Sequence, residues 1–240
     1  MKHIGKILIT LLGLSVLLSS CNGLLDIPQH GATSPDTFYK NDEEAEEAIT
    51  AVYAKFASIY FNYYFVKNML SDDFWAGGGG RGDNTDIEKL NEYTFSADHP
   101  FIRDLFKNYY EVIYLCNVVL KYVPESSTIQ KRARAEAKVL RAYVYIDLIS
   151  MWGTPPLVDE PLEPSQYKKP NGDPAALWQL AETDLSEAIE SGVLSEKSNI
   201  NDNSSYKVKL QFAKALLGKA YVFQKKWEEA CSTLDDMIDD

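Results

Sequence analysis

The sequence predicts an all-α protein: a right-handed array of packed helix pairs interrupted by long loop insertions. Two observations carry this. Apolar residues recur at three- and four-residue steps in segment after segment, while no stretch shows a convincing two-residue strand alternation. The segment Ala133 to Val158 is moreover too apolar to lie on a surface. Ala133, Ala137, Leu140, Val144 and Leu148 mark one helix face, and Tyr143, Tyr145, Ile146, Ile149 and Trp152 spread apolar surface around much of the rest. A helix that is apolar on most sides is packed on most sides, so this one is expected at the centre. Arg141 and Asp147 are its only charges after Lys138. Unpaired burial of either is costly, so each must reach a partner or the solvent edge.

The chain begins with an export signal. Lys2 and Lys6 form its positive end, Ile7 to Leu18 its apolar segment, and Leu18-Ser19-Ser20 lead into Cys21. The apolar run is too short to span a bilayer as a stable helix. Leu18-Ser-Ser-Cys21 resembles a bacterial lipobox, which makes residues 1–20 a lipoprotein signal peptide and Cys21 the lipid-attachment site. Residues 21–40, with Gly23, Pro28, Gly31 and Pro35, read as an extended tether, and 41–240 as the helical domain.

Within that domain the first helix opens at Asn41 or Asp42, where Glu43 and Glu44 suit a helix N-terminus. Ala45, Ala48, Ile49, Val52, Tyr53 and Phe56 follow on one face, and Tyr60 to Leu70 reads as a second helix. Ser71 to His99 breaks the rhythm at Gly77-Gly-Gly-Gly80 and is expected to be a long loop, since each glycine costs a helix about 1 kcal/mol. Helix resumes from about Pro100 to Val123, with Leu105, Phe106, Tyr109, Ile113 and Cys116 on one side, and Pro124 ends it. Ser126 or Ser127 caps the central helix, which Gly153 and Pro155-Pro156 close. After a proline-rich connection, Asp173 caps a helix with Pro174 at its first position, and Gly192 ends it. Leu217-Gly218-x2-Tyr221, then eight residues, then Ala230-x3-Leu234, matches the small and large positions of a tetratricopeptide repeat. Gly218 and Ala230 let two helices approach, while Tyr221 and Leu234 fill the gap. The chain stops at Met237-Ile238-Asp239-Asp240 in mid-helix, as the front part of a longer protein would.

Ordered pieces of the sequence resemble the SusD/RagB family of outer-membrane nutrient-binding lipoproteins of Bacteroidetes. They are Cys21 with Leu25-Asp26-Ile27-Pro28; Phe38 with Glu44-Ala45-x2-Ala48; Ser71-Asp72-Asp73; and Tyr109-x3-Ile113-x3-Asn117. Further on come Glu136-Ala137-x2-Leu140-Arg141-Ala142-Tyr143, Trp152-Gly153-x2-Pro156-Leu157-Val158, and Ala213-x2-Leu216-Leu217-Gly218-x2-Tyr221 with Trp227-x2-Ala230. The resemblance implies a glycan-binding lipoprotein, acylated at Cys21 (palmitate among the chains) and exposed on the outer membrane. Such proteins cover a SusC-like TonB-dependent transporter and pass it oligosaccharides captured from polysaccharide. The family uses its helices mainly against the transporter and its loops for sugar. An alternative is a protein–protein scaffold subunit of such a transporter that binds no sugar itself. Family members are generally longer, so much of the usual sugar-binding half would be missing.

Sugar recognition needs aromatic faces for pyranose C–H surfaces and planar polar groups for hydroxyls. The Ser71 to Asn91 loop supplies Phe74, Trp75, Arg81, Asp83, Asn84 and Asp86, of which Trp75, Arg81, Asp83 and Asn84 are the candidate ligand contacts. Trp178 and Trp227 sit at helix-face positions suited to core or groove. No catalytic residue, metal ligand or cofactor is assigned: neighbouring acids such as Asp72-Asp73 lack the separation that glycoside hydrolysis requires, and His3, His30 and His99 are scattered. A net charge of −11, with no basic cluster, speaks against nucleic acid. Cys116 and Cys231 are expected as two separate buried thiols.

Overall fold

A computed structural model describes residues 38–195 and 206–238, and the signal segment, Cys21, most of the tether and most of the polar loop after Gly192 lie outside them. Eight α-helices and no strand occur among the described residues. Helix α1 (Asp42–Ser58) begins at Asn41, whose side chain accepts from the Glu44 amide at 2.9 Å while the Glu44 carboxylate accepts from the Asn41 amide at 3.3 Å. This reciprocal pair satisfies two of the amides that a helix start leaves open. Helix α2 (Tyr60–Met69) follows after Ile59, as expected. Helix α3 (Thr85–Asn91) corrects the expectation of an unbroken loop. Next come α4 (Pro100–Tyr122) and α5 (Thr128–Trp152). A connection containing one 3₁₀ turn, Pro164–Gln166, leads to α6 (Pro174–Glu190). Helices α7 (Leu210–Phe223) and α8 (Trp227–Ile238) complete the order.

Helix α5 packs against α1, α4, α6 and α7, which is the central position its composition requires. Ala137, Leu140, Val144, Tyr145, Ile146 and Leu148 are all buried on it. Each Leu or Ile removed from water stabilises the fold by roughly 1.5–3 kcal/mol. Ser127 caps its start by accepting from the Gln130 amide, and Gly153 ends it with φ +75°, a backbone that disfavours any side chain.

Arg141 and Asp147, two of the buried ionisable residues of α5, are both paired. Arg141 grips Asp184 of α6 through two parallel bonds of 2.7 Å, and a third nitrogen donates to Asn117 Oδ1 at 2.7 Å. Burial works against the guanidinium's charge, but the Asp184 carboxylate wins and raises its pKa. Asp147 accepts from Lys67 Nζ at 2.7 Å and from the Tyr109 hydroxyl at 2.9 Å. Burial and that carboxylate push the Tyr109 phenol far up, so it remains a neutral donor.

Around the last turn of α7 the chain reverses through Lys225, at φ 62°, into α8. A Cβ on Gly218 would stand 2.6 Å from Leu234 Cδ2, so the small residue is what lets α7 and α8 touch, as the repeat pattern demands. Two expectations fail. Cys116 is buried but Cys231 is exposed, because the face of α8 that carries it has no described neighbour. Trp227 is 57% exposed rather than core, being the first residue of that helix. Trp152 is packed, edge-on to Phe106 and Tyr109.

Candidate functional site

The glycine-rich insertion between α2 and α4 is shaped by its own polar side chains. Its main chain is pinned first at the far end, where His99 is buried and its Nε2 donates to the Asp86 carbonyl at 2.9 Å. Asn84 starts α3 by accepting from the Ile87 amide at 3.1 Å, with Asp86 and Glu88 in the first turn to favour the positive helix end. The Asp83 carboxylate turns back and accepts from the amides of Gly79 and Gly80. A Cβ at Gly78 would strike that carboxylate at 2.6 Å, and its φ of +150° suits glycine, so the run of glycines makes room for the turn. Gly82 donates to Glu88 Oε1 at 2.7 Å. The glycine turn thus closes on its own side chains, while Leu90 of α3 enters the core.

That closure presents Trp75. Asn91, the last residue of α3, donates from Nδ2 to the Phe74 carbonyl at 3.0 Å and accepts through Oδ1 from the Ala76 amide at 3.1 Å. One side chain thus holds the peptide units on both sides of Trp75, whose ring is 78% exposed. Tyr93 steadies the base of the loop by donating to the Leu70 carbonyl at 2.5 Å. Trp75, Arg81, Asn91 and Glu92 line a cleft of 230 Å³, and Arg81 pairs with Glu92 at 2.5 Å across its rim.

Of the four residues expected at a ligand site, the structure therefore brings Trp75 and Arg81 to one cleft. Asp83 and Asn84 sit beside it, their oxygens directed to loop amides. Asn91, Glu88 and Glu92 were missed. Asn84 followed by Asp86 and Glu88 is a readable helix start and could have shown α3. Nothing in sequence order shows that Asn91 folds back on Trp75. A flat exposed ring next to an ion pair can take a pyranose face and hydrogen-bond its hydroxyls.

Residues 33–221 match a family model for SusD-like proteins described as starch-binding and associating with the outer membrane. The SusD-like protein P38 of Formosa agariphila is 23% identical over 239 residues, covering 99% of this chain and 46% of that protein. The SusD-like protein P25 of the same organism is 28% identical over 159 residues, or 60% of this chain and 29% of that one. A laminarin-binding SusD-like protein has the same fold with a TM-score of 0.70 and 32% identity, covering 82% of this chain and 43% of that structure. Surface glycan-binding protein A from Bacteroides thetaiotaomicron, solved with laminarihexaose, shares the fold at a TM-score of 0.68 and 20% identity, over 83% and 43% of the two chains. The chain spans less than half the length of these relatives. With its helical array and the match over residues 33–221, the chain belongs to the SusD-like family.

Proposed function

We propose that this chain is a non-catalytic glycan-capture module, anchored by lipid at Cys21 to the outer membrane and exposed on its outer side. It hands oligosaccharides to a SusC-like TonB-dependent transporter. The observation that carries the reading is Trp75: a bare indole on a backbone that Asn91 holds on both sides, where exposure of so large an apolar ring is worth explaining. Preorganisation lowers the ordering cost of binding, so the backbone that carries the ring is already set when a pyranose arrives. Arg81 and Glu92 take hydroxyls at the rim, and Asp83 and Asn84 keep the loop in shape beside them. Support for the class comes from the family match and from the relatives named for laminarin and laminarihexaose. Retention of the full chain in gels cast with laminarin, starch or other glycans tests this; migration unaltered by every glycan would contradict it.

A scaffold role without sugar binding has one observation in its favour. Val222, Phe223 and Trp227 are exposed at the α7–α8 turn, a patch suited to protein contact. Co-purification with the transporter alongside a chain that binds no glycan would favour that reading.

A further inference from the structure

A second cleft, formed by α4 and the proline-rich connection, shares no lining residue with the first. It measures 400 Å³ and is built on a ladder of rings along α4: Phe106, Tyr110 and Tyr114, spaced four residues apart. Phe106 and Tyr110 lie 4.9 Å apart between centroids and are half-buried, whereas Tyr114 is 54% exposed. Across from them the proline-rich connection brings Tyr167, 68% exposed, together with Glu160 and Lys169. Among the described residues neither Glu160 nor Lys169 makes an ion pair or hydrogen bond, and the hydroxyls of Tyr114 and Tyr167 make no hydrogen bond.

The wall opposite the ladder is fixed in advance. Tyr110 donates to the Pro156 carbonyl at 2.7 Å. Tyr145 accepts from the Val158 amide at 2.7 Å and donates to its carbonyl at 3.0 Å, and Asn117 donates to the same carbonyl at 3.1 Å. Arg141 adds a bond to the Asp159 carbonyl at 3.1 Å. Buried side chains thus bolt residues 156–159 to the core while two tyrosine faces and two free ions are left open to solvent.

We propose that this cleft is a second oligosaccharide subsite, in which Tyr114 and Tyr167 stack on pyranose faces and Glu160 and Lys169 bind hydroxyls. The ladder from Phe106 to Tyr114 covers about 12 Å of helix, longer than one pyranose, so the ligand is an oligomer rather than a monosaccharide. Free ions of both signs and an apolar floor suit a neutral glycan better than an anionic one. The inference rests on the reading that the chain binds glycans at all.

Calorimetry with laminarihexaose, cellohexaose and maltohexaose tests it, using the full chain and the variants Tyr114→Ala, Tyr167→Ala and Trp75→Ala. The expected result, for at least one of the three sugars, is two sites per chain, with one weakened about tenfold or more by either tyrosine change and the other by the tryptophan change. Tyr114→Phe is expected to retain most of the affinity, because the ring remains. Binding that Trp75→Ala abolishes and Tyr114→Ala and Tyr167→Ala leave unchanged overturns the second site and leaves the first. No binding of any of the three sugars overturns the second site, and a glycan retained in gels only through Trp75 then shows that the general reading survives it.

Discussion

Arg141 ties three parts of this fold together. It joins α5 to α6 through Asp184, to α4 through Asn117, and to the proline-rich connection through Asp159. Arg141→Leu removes one partner and leaves a buried carboxylate uncompensated, so a loss of about 3–5 kcal/mol is expected from urea unfolding. A loss below about 1 kcal/mol would mean that Asp184 finds another donor or protonates freely. The need for partners at Arg141 and Asp147 was legible, since an apolar helix cannot hide a lone ion. Their identity was not: Asp184 lies 43 residues away and Lys67 80 residues from Asp147, and periodicity does not say which faces meet. Glu136 on the same helix shows the opposite balance. Burial raises its carboxyl pKa, with Lys207, the Tyr53 hydroxyl and Arg132 pulling the other way. A raised carboxyl holds its proton more tightly in the folded chain, so its contribution to stability is full below the unfolded value of about 4.3 and is lost as pH rises through the folded value. Glu136→Gln removes that loss, and thermal melts at acidic and neutral pH are expected to show the variant gaining on the parent as pH rises. A difference that stays constant would contradict the assignment. The thiols divide in the same way: burial pushes Cys116 up, while Cys231 is open to solvent. In a Cys21→Ser chain, thiol titration should count one group before unfolding and two after it.

At the level of elements, capping signals and glycine positions read well. Asn41, Ser127, Asp173 with Pro174, and Gly153 all stand where their chemistry places them. The short helix α3 was hidden because seven residues cannot carry a periodic signal and the glycines before it dominate the window. Its role is to deliver Asn91 to the backbone on either side of Trp75. Asn91→Ala is therefore expected to weaken glycan binding several-fold while shifting the thermal midpoint little, since the bonds it loses lie in an exposed loop. Equal affinity for parent and variant would show that Trp75 needs no such support. The α7–α8 contact is tighter. Gly218→Ala gains about 1 kcal/mol of helix propensity but drives a methyl into Leu234, so net destabilisation is expected by chemical unfolding. Adding Leu234→Ala should relieve part of it, and strict additivity of the two changes would deny the contact.

For the whole molecule, the helices were more legible than the surface they hold up. Spacing and composition mark the buried face of most helices, though not of α8, whereas a binding cleft depends on loops whose shape is set by side chains far apart in sequence. Trp75 and Arg81 drew notice because they stand in a glycine-rich aromatic loop; the ladder ending at Tyr114 did not, because exposure of one ring on an otherwise packed helix leaves no mark on the pattern. A net charge of −11 favours neutral glycans over anionic ones at both clefts. Glycan capture at the Trp75 cleft is tested by titration of the full chain and its Trp75→Ala variant with laminarihexaose and a panel of other oligosaccharides. Saturable binding of at least one sugar, weakened tenfold or more at one site by the substitution, is the expected result. Binding that is indifferent to Trp75, or no binding to any member of the panel, would contradict it.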